Sequence, residues 1–152
     1  MKSLSDPQCK EEILVRLGRV QFDAHRRWGK MNAGQMICHL NDCFLGVMGD
    51  KPMEIMARYP MRKLVKWIAL DLPFQWPHGV STRPEFDSEI GGTPPADFEL
   101  YKQELLLQIE KFIKAPRTFK FRPHPMFLEM TDQEWMRWGY RHMDHHLRQF
   151  GE

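Results

Sequence analysis

Thr131-Asp132-Gln133-Glu134-Trp135-Met136-Arg137-Trp138-Gly139-Tyr140-Arg141-His142-Met143-Asp144-His145-His146-Leu147-Arg148-Gln149-Phe150 is the stretch on which the reading of this chain turns. Thr131 followed three residues later by Glu134 is a capping box, so a helix opens there and runs to Phe150, just before Gly151. On a helical wheel Trp135, Trp138, Gly139, His142, His146 and Gln149 share one sector, while Met136, Met143, Leu147 and Phe150 form an apolar sector beside it. Much of this helix must therefore be buried. His142 and His146 lie one turn apart and stack on one side, which makes half of a metal site. Burial favours the neutral imidazole that binds metal, and a metal satisfies two ring nitrogens at once. The competing reading is a pair of core histidines bonded to carbonyls or water, or two exposed residues on a fraying last turn. His145 sits at the edge of the sector, where it is either a residue behind the ligands, a proton shuttle, or solvent-exposed.

A third ligand has to come from elsewhere, and His39 is the leading candidate. It belongs to a helix capped by Asn32 with Gln35 as its reciprocal partner and ended by Gly49-Asp50-Lys51-Pro52. Met36, Ile37, Leu40, Phe44, Val47 and Met48 make the apolar face of that helix, and His39 stands on its shoulder. Cys43, four residues on, could face the same space.

An earlier helix opens at Asp6 with Pro7 in its first turn, carries Ile13, Leu14, Leu17, Val20 and Ala24, and fades near Arg27. A shorter one covers Met61 to Leu70. A further main helix starts at Thr93-Pro94 or Asp97, presents Phe98, Tyr101, Leu105, Ile109 and Phe112, and stops before Pro116. Between the second and third main helices, Pro73 to Pro95 holds five prolines and three glycines and cannot be helix interior or central strand. A crossover in a helical bundle is its simplest role. A second loop spans Arg117 to Met130, and no run of alternating residues indicates strands. The class is all-α, with one domain over 1–152.

Composition narrows the function. With 42% hydrophobic and 28% charged residues the chain is ordinary for a soluble globular protein, and a net charge of +2 without a concentrated basic face argues against nucleic acid as partner. No stretch approaches the roughly 18 apolar residues of a membrane span, and Met1 to Pro7 lacks a signal-peptide core, so a cytoplasmic location without membrane partner is expected. Cys9, Cys38 and Cys43 have no paired spacing and read as reduced thiols. Met143 stands where a zinc-protease helix carries its glutamate, so that chemistry is absent. His25, His78 and His124 fall in loops or at helix ends and read as residues without a site role.

Gln35-Met36-Ile37-Cys38-His39-Leu40 early in the chain, with His142, His146 and Gln149 late, resembles the DinB-like superfamily, in a poorly characterised branch. The branch is similar also at Trp28-Gly29-Lys30-Met31, at Trp76-Pro77-His78-Gly79 with Thr82 and Pro84, at His124-Pro125-Met126-Phe127, at Trp138-Gly139, and at His145 to Gly151. The resemblance implies a four-helix bundle of up-down-down-up topology with the long loop as crossover. It implies a divalent metal on His39, His142 and His146. Known members include metal-dependent transferases that use low-molecular-weight thiols such as bacillithiol or mycothiol, and several form dimers, which makes a homodimer an expectation. Three imidazoles with an open position suit thiol transfer or hydrolysis on a small molecule, and nickel, zinc and iron(II) all accept such ligands. In that picture Trp135 and Trp138 line a pocket and Gln149 orients a ligand. The alternative function is a non-catalytic metal-binding or partner-binding bundle.

Overall fold

The computed structural model describes residues 1–56 and 61–152. Among these residues there are five α-helices, one turn of 3-10 helix at Pro84–Phe86 and no strand. Helix α1 is Pro7–Arg19, with the Asp6 carboxylate accepting from the N–H groups of Gln8 and Cys9 and Pro7 in the first turn. It ends well before Arg27. Val20 turns extended (φ −62°, ψ 123°) and stays buried, while Lys102 Nζ donates to the carbonyls of Gly18 and Val20 at 3.0 and 2.8 Å. A cation on these last carbonyls supplies the partners that another helical turn would have given them.

Helix α2, Ala33–Met48, begins with the Asn32–Gln35 capping box and stops at Gly49, whose φ of 91° is left-handed. Helix α3 is Arg62–Asp71. Helix α4, Phe98–Ile113, is capped by Asp97, and helix α5, Asp132–Gln149, by the Thr131–Glu134 box. Helix α2 packs along α4, α5 along α1, and α3 touches α5. Large side chains join α2 to α5 and α4: the Phe44 ring lies 5.7 Å from Trp138 and 4.9 Å from Phe112, both edge-on.

The sequence shows one apolar stripe on α2, yet nearly all of this helix is buried. The reason is the proline-rich stretch between α3 and α4, which folds back onto it. Phe86 enters a slot at Gly46, where a Cβ would lie 2.9 Å from the ring tip. Burying such a ring is worth about 2 kcal/mol. At the end of the same stretch, Thr93 donates to the Asp42 carboxylate from both its N–H (2.7 Å) and its hydroxyl (2.8 Å), and Lys51 completes the shell at 2.7 Å. A carboxylate this deep is tolerable because its charge is paired and both of its oxygens accept hydrogen bonds.

The loop before α5 closes on itself through paired backbone bonds between His124 and Leu128. Nδ1 of His124 accepts from the N–H groups of Met126 and Phe127, both at 3.2 Å, and its ring stacks on Phe127 at 4.4 Å. This residue, which reads from sequence as a plain loop histidine, is buried beside Trp135 and Trp138. Burial, with Arg83 nearby as a lesser cause, pushes its pKa down to about 3. The folded pKa lies below the unfolded one of about 6.5, so the unfolded chain alone takes up the proton as pH falls through that window. Stability is therefore lost from about pH 6.5 toward pH 3. Taking the protein from pH 7 to pH 5 should cost about 2 kcal/mol through this group. Urea denaturation at both pH values should show that loss shrinking by a similar amount in His124→Asn, which keeps an acceptor but cannot titrate.

Candidate metal centre

One turn of α5 stacks His142 and His146, and α2 brings His39 against them from the other side. The ring centroids are 5.0 Å apart for His142–His146, 5.3 Å for His39–His142 and 4.8 Å for His39–His146. One nitrogen from each ring can be chosen so that all lie within 4.8 Å of one another, a group that could hold a metal ion. All three side chains are buried, at 8, 9 and 7% exposure for His39, His142 and His146.

The neighbours fix two of the three tautomers. A backbone carbonyl only accepts, so the contact of His39 Nδ1 with the Phe86 carbonyl (3.1 Å) places the proton on Nδ1 and leaves Nε2 bare. The Gln149 amide nitrogen donates to the Trp28 carbonyl at 2.9 Å, which turns Oε1 toward Nδ1 of His146 at 3.0 Å. His146 therefore also protonates at Nδ1 and bares Nε2. The bare Nε2 of His39 then faces Nε2 of His142 at 3.3 Å. This is the tautomer pattern that a bound cation selects, with the outer nitrogen held by a fixed acceptor.

Protonation of the three rings is disfavoured. Burial lowers the pKa of His39 and drives those of His142 and His146 well below the ordinary range, with the neighbouring histidines adding to the effect for the latter two. Neutral imidazoles are the form that ligates metal. Three of them without a carboxylate leave a dication its full charge and leave coordination positions beyond the protein's own ligands.

Two close approaches by glycine hold the acceptors in place. Gly46 admits Phe86, whose carbonyl fixes His39. Gly29 sits at φ 82°, and a Cβ there would overlap the Gln149 amide that fixes His146. The other residues singled out from sequence are distributed around this centre. The Trp138 ring is 5.0 Å from that of His142, whereas Trp135 stacks on Phe121 at 4.7 Å, next to His124 and one layer further into the core. Cys43 Sγ stands 3.6 Å from Nε2 of His39, and burial pushes its thiol pKa well up. His145 is half-buried, its ring 5.1 Å from that of His146.

Sequence reasoning passed over three neighbours: Trp28, Trp76 and His78. Trp76 lies 5.9 Å from His142, anchored by its N–H on the Ala69 carbonyl at 2.9 Å, and His78 stacks on Trp28 at 3.9 Å. Their signal was the family resemblance, which covers Trp28-Gly29-Lys30-Met31 and Trp76-Pro77-His78-Gly79 but says nothing of where these side chains point. Two open surface clefts, one lined by Phe22 to Arg26 with Asn32 and one around Lys114 and Pro116, do not include His39, His142 or His146.

The chain matches the DUF1569 family, described as "Protein of unknown function (DUF1569)", over residues 6–152, and belongs to it. No curated protein and no solved structure matches it. Among the described residues no helix is long and apolar enough to cross a membrane.

Removing the Gln149 amide while keeping its bulk tests the tautomer argument. Gln149→Leu should weaken zinc binding by about 10- to 100-fold in a competition titration with a chromophoric chelator, with unchanged helical circular dichroism.

Proposed function

We propose that this member of the DUF1569 family is a metal-dependent enzyme in which His39, His142 and His146 hold one divalent ion through their Nε2 atoms. The observation that carries the reading is the pair of outer nitrogens already donating to the Phe86 carbonyl and to Gln149, which leaves bare nitrogens converging in a desolvated space. Nickel, zinc and iron(II) are all compatible with three imidazoles. An ion so held would polarise a substrate oxygen or lower the pKa of a bound water or thiol.

The DinB-like resemblance extends this to a single-domain, four-helix bundle of up-down-down-up topology, crossed by the loop that carries Trp76, His78 and Phe86. Its reaction is thiol-dependent transfer to a small electrophile, or hydrolysis. The residues contribute separable roles. Gln149 and the Phe86 carbonyl orient two ligands, and Trp138 packs against the third. Trp76 supplies an apolar wall that keeps bulk water from the metal's open side. Cys43, with its proton retained, acts as packing beside His39 and not as a nucleophile, which would need the thiolate.

Elemental analysis of untagged protein should find close to one metal per chain, and a His142→Ala/His146→Ala double variant should have none while remaining helical. Wild-type protein that stays empty after incubation with nickel, zinc and iron(II) would refute the reading in favour of a bundle that works by binding partners. Metal-loaded protein should then turn over a thiol with an electrophile, or an ester, and the double variant should not.

A further inference from the structure

Beside the three histidines, four aromatic residues come together from three separate segments. Trp28 comes from the segment before α2, Trp76 and His78 from the long loop, and His145 from α5. His78 lies flat on Trp28, with 3.9 Å between centroids and 11° between planes. Trp28 and His145 approach at 6.1 Å, and Trp76 is 5.9 Å from His142 and 6.0 Å from His145. Trp28, Trp76 and His145 are half-buried and His78 is exposed, so the cluster borders solvent on one side and the metal centre on the other.

Its polar atoms are not at rest. Among the described residues seven buried side-chain nitrogen or oxygen atoms lack a protein partner, and three of them, Trp28 Nε1, His142 Nδ1 and His145 Nδ1, fall in this one cluster. Buried polar groups in folded proteins are nearly always satisfied, so these atoms take partners from outside the protein, water or a bound ligand. The indole nitrogen can only donate. His142 becomes a donor at Nδ1 once its Nε2 faces a metal. Both therefore require an acceptor.

Charge points the same way. Three neutral imidazoles leave a dication uncompensated, and none of the four wall residues carries a negative charge. The group wanted is an anion. A carboxylate presents two acceptor oxygens, enough for an open metal position and an N–H donor together, which a single thiolate sulfur offers less well. The remainder of the ligand would meet aromatic faces and must be largely apolar.

We propose that Trp28, Trp76, His78 and His145 form a subsite for the carboxylate of a small apolar molecule, with the Trp28 indole N–H donating to it. This rests on the metal reading above. Cobalt(II)-loaded protein, whose visible spectrum responds to ligation, can be titrated with phenylacetate and with its neutral analogue phenylacetamide. Wild-type protein should bind phenylacetate saturably and the amide at least about tenfold more weakly. Trp28→Phe, which keeps the ring and loses the donor, should weaken phenylacetate by about tenfold or more at unchanged cobalt content. His78→Ala, at an exposed position, should weaken it as well and stands in if Trp28→Phe does not fold. Cobalt uptake with phenylacetate binding indifferent to Trp28→Phe or, in its place, His78→Ala, or equal binding of acid and amide, overturns the subsite alone. A wild type that takes up no cobalt overturns the metal reading and the subsite with it.

Discussion

Three neutral imidazoles meeting inside the protein form the constraint around which the rest is arranged. A ring nitrogen buried without a partner costs on the order of 1–3 kcal/mol. Here the outer nitrogens of His39 and His146 are given acceptors, and the inner ones are turned toward one another. The bare Nε2 of His39 lies 3.3 Å from Nε2 of His142 and 3.6 Å from the Cys43 sulfur, each able to donate to it, and burial keeps the rings neutral. Satisfying the outer atoms thus fixes which inner nitrogens carry the lone pairs, while burial keeps the rings neutral. The same choice of tautomer that satisfies the outer nitrogens is the one a metal would require.

That choice depends on main-chain atoms that lie far away in sequence. The acceptor for His39 is a carbonyl of the long loop, and the acceptor for His146 is itself held by the carbonyl of Trp28. Each is secured by a glycine whose missing side chain leaves the required space, Gly46 for the Phe86 ring and Gly29 for the Gln149 amide. The Thr93–Asp42–Lys51 cluster pins the far end of the loop to the same helix that carries His39. The loop is consequently part of the framework around the histidines: its Phe86 carbonyl orients His39, and it sets Trp76 beside His142 and His78 on Trp28. Its proline content suits that task, because a segment with few free backbone donors can lie against a buried helix without leaving many of them unpaired.

A layer of aromatic rings separates the centre from the hydrophobic core. Trp138 touches His142 on one side and Phe44 and Phe112 on the other, and Trp135 and Phe121 continue the stack away from the site. Gly139 lets Leu4 and Phe112 approach α5 where a Cβ would lie 2.7 Å from Leu4 and 3.0 Å from Phe112. Packing of this kind holds α5, and with it two of the three histidines, at a defined depth. His124 serves the same layer as a structural imidazole whose acceptor nitrogen ties down the loop before α5.

The sequence by itself determined what is decided within one or two turns of chain. The capping boxes at Asn32–Gln35 and Thr131–Glu134, the stop at Gly49 and the stacking of His142 on His146 are all local, and each could be read from spacing. The all-helical class followed from the same signals. Long-range contacts decided the remainder. His39 stands on the shoulder of an apolar stripe, and only the fold of the loop over α2 buries it and turns it inward. Helix α1 ends early because Lys102, from another helix, takes its last carbonyls. Trp28, Trp76 and His78 lie in irregular segments with no periodicity to say where a side chain points, so their gathering beside His145 became visible only in three dimensions.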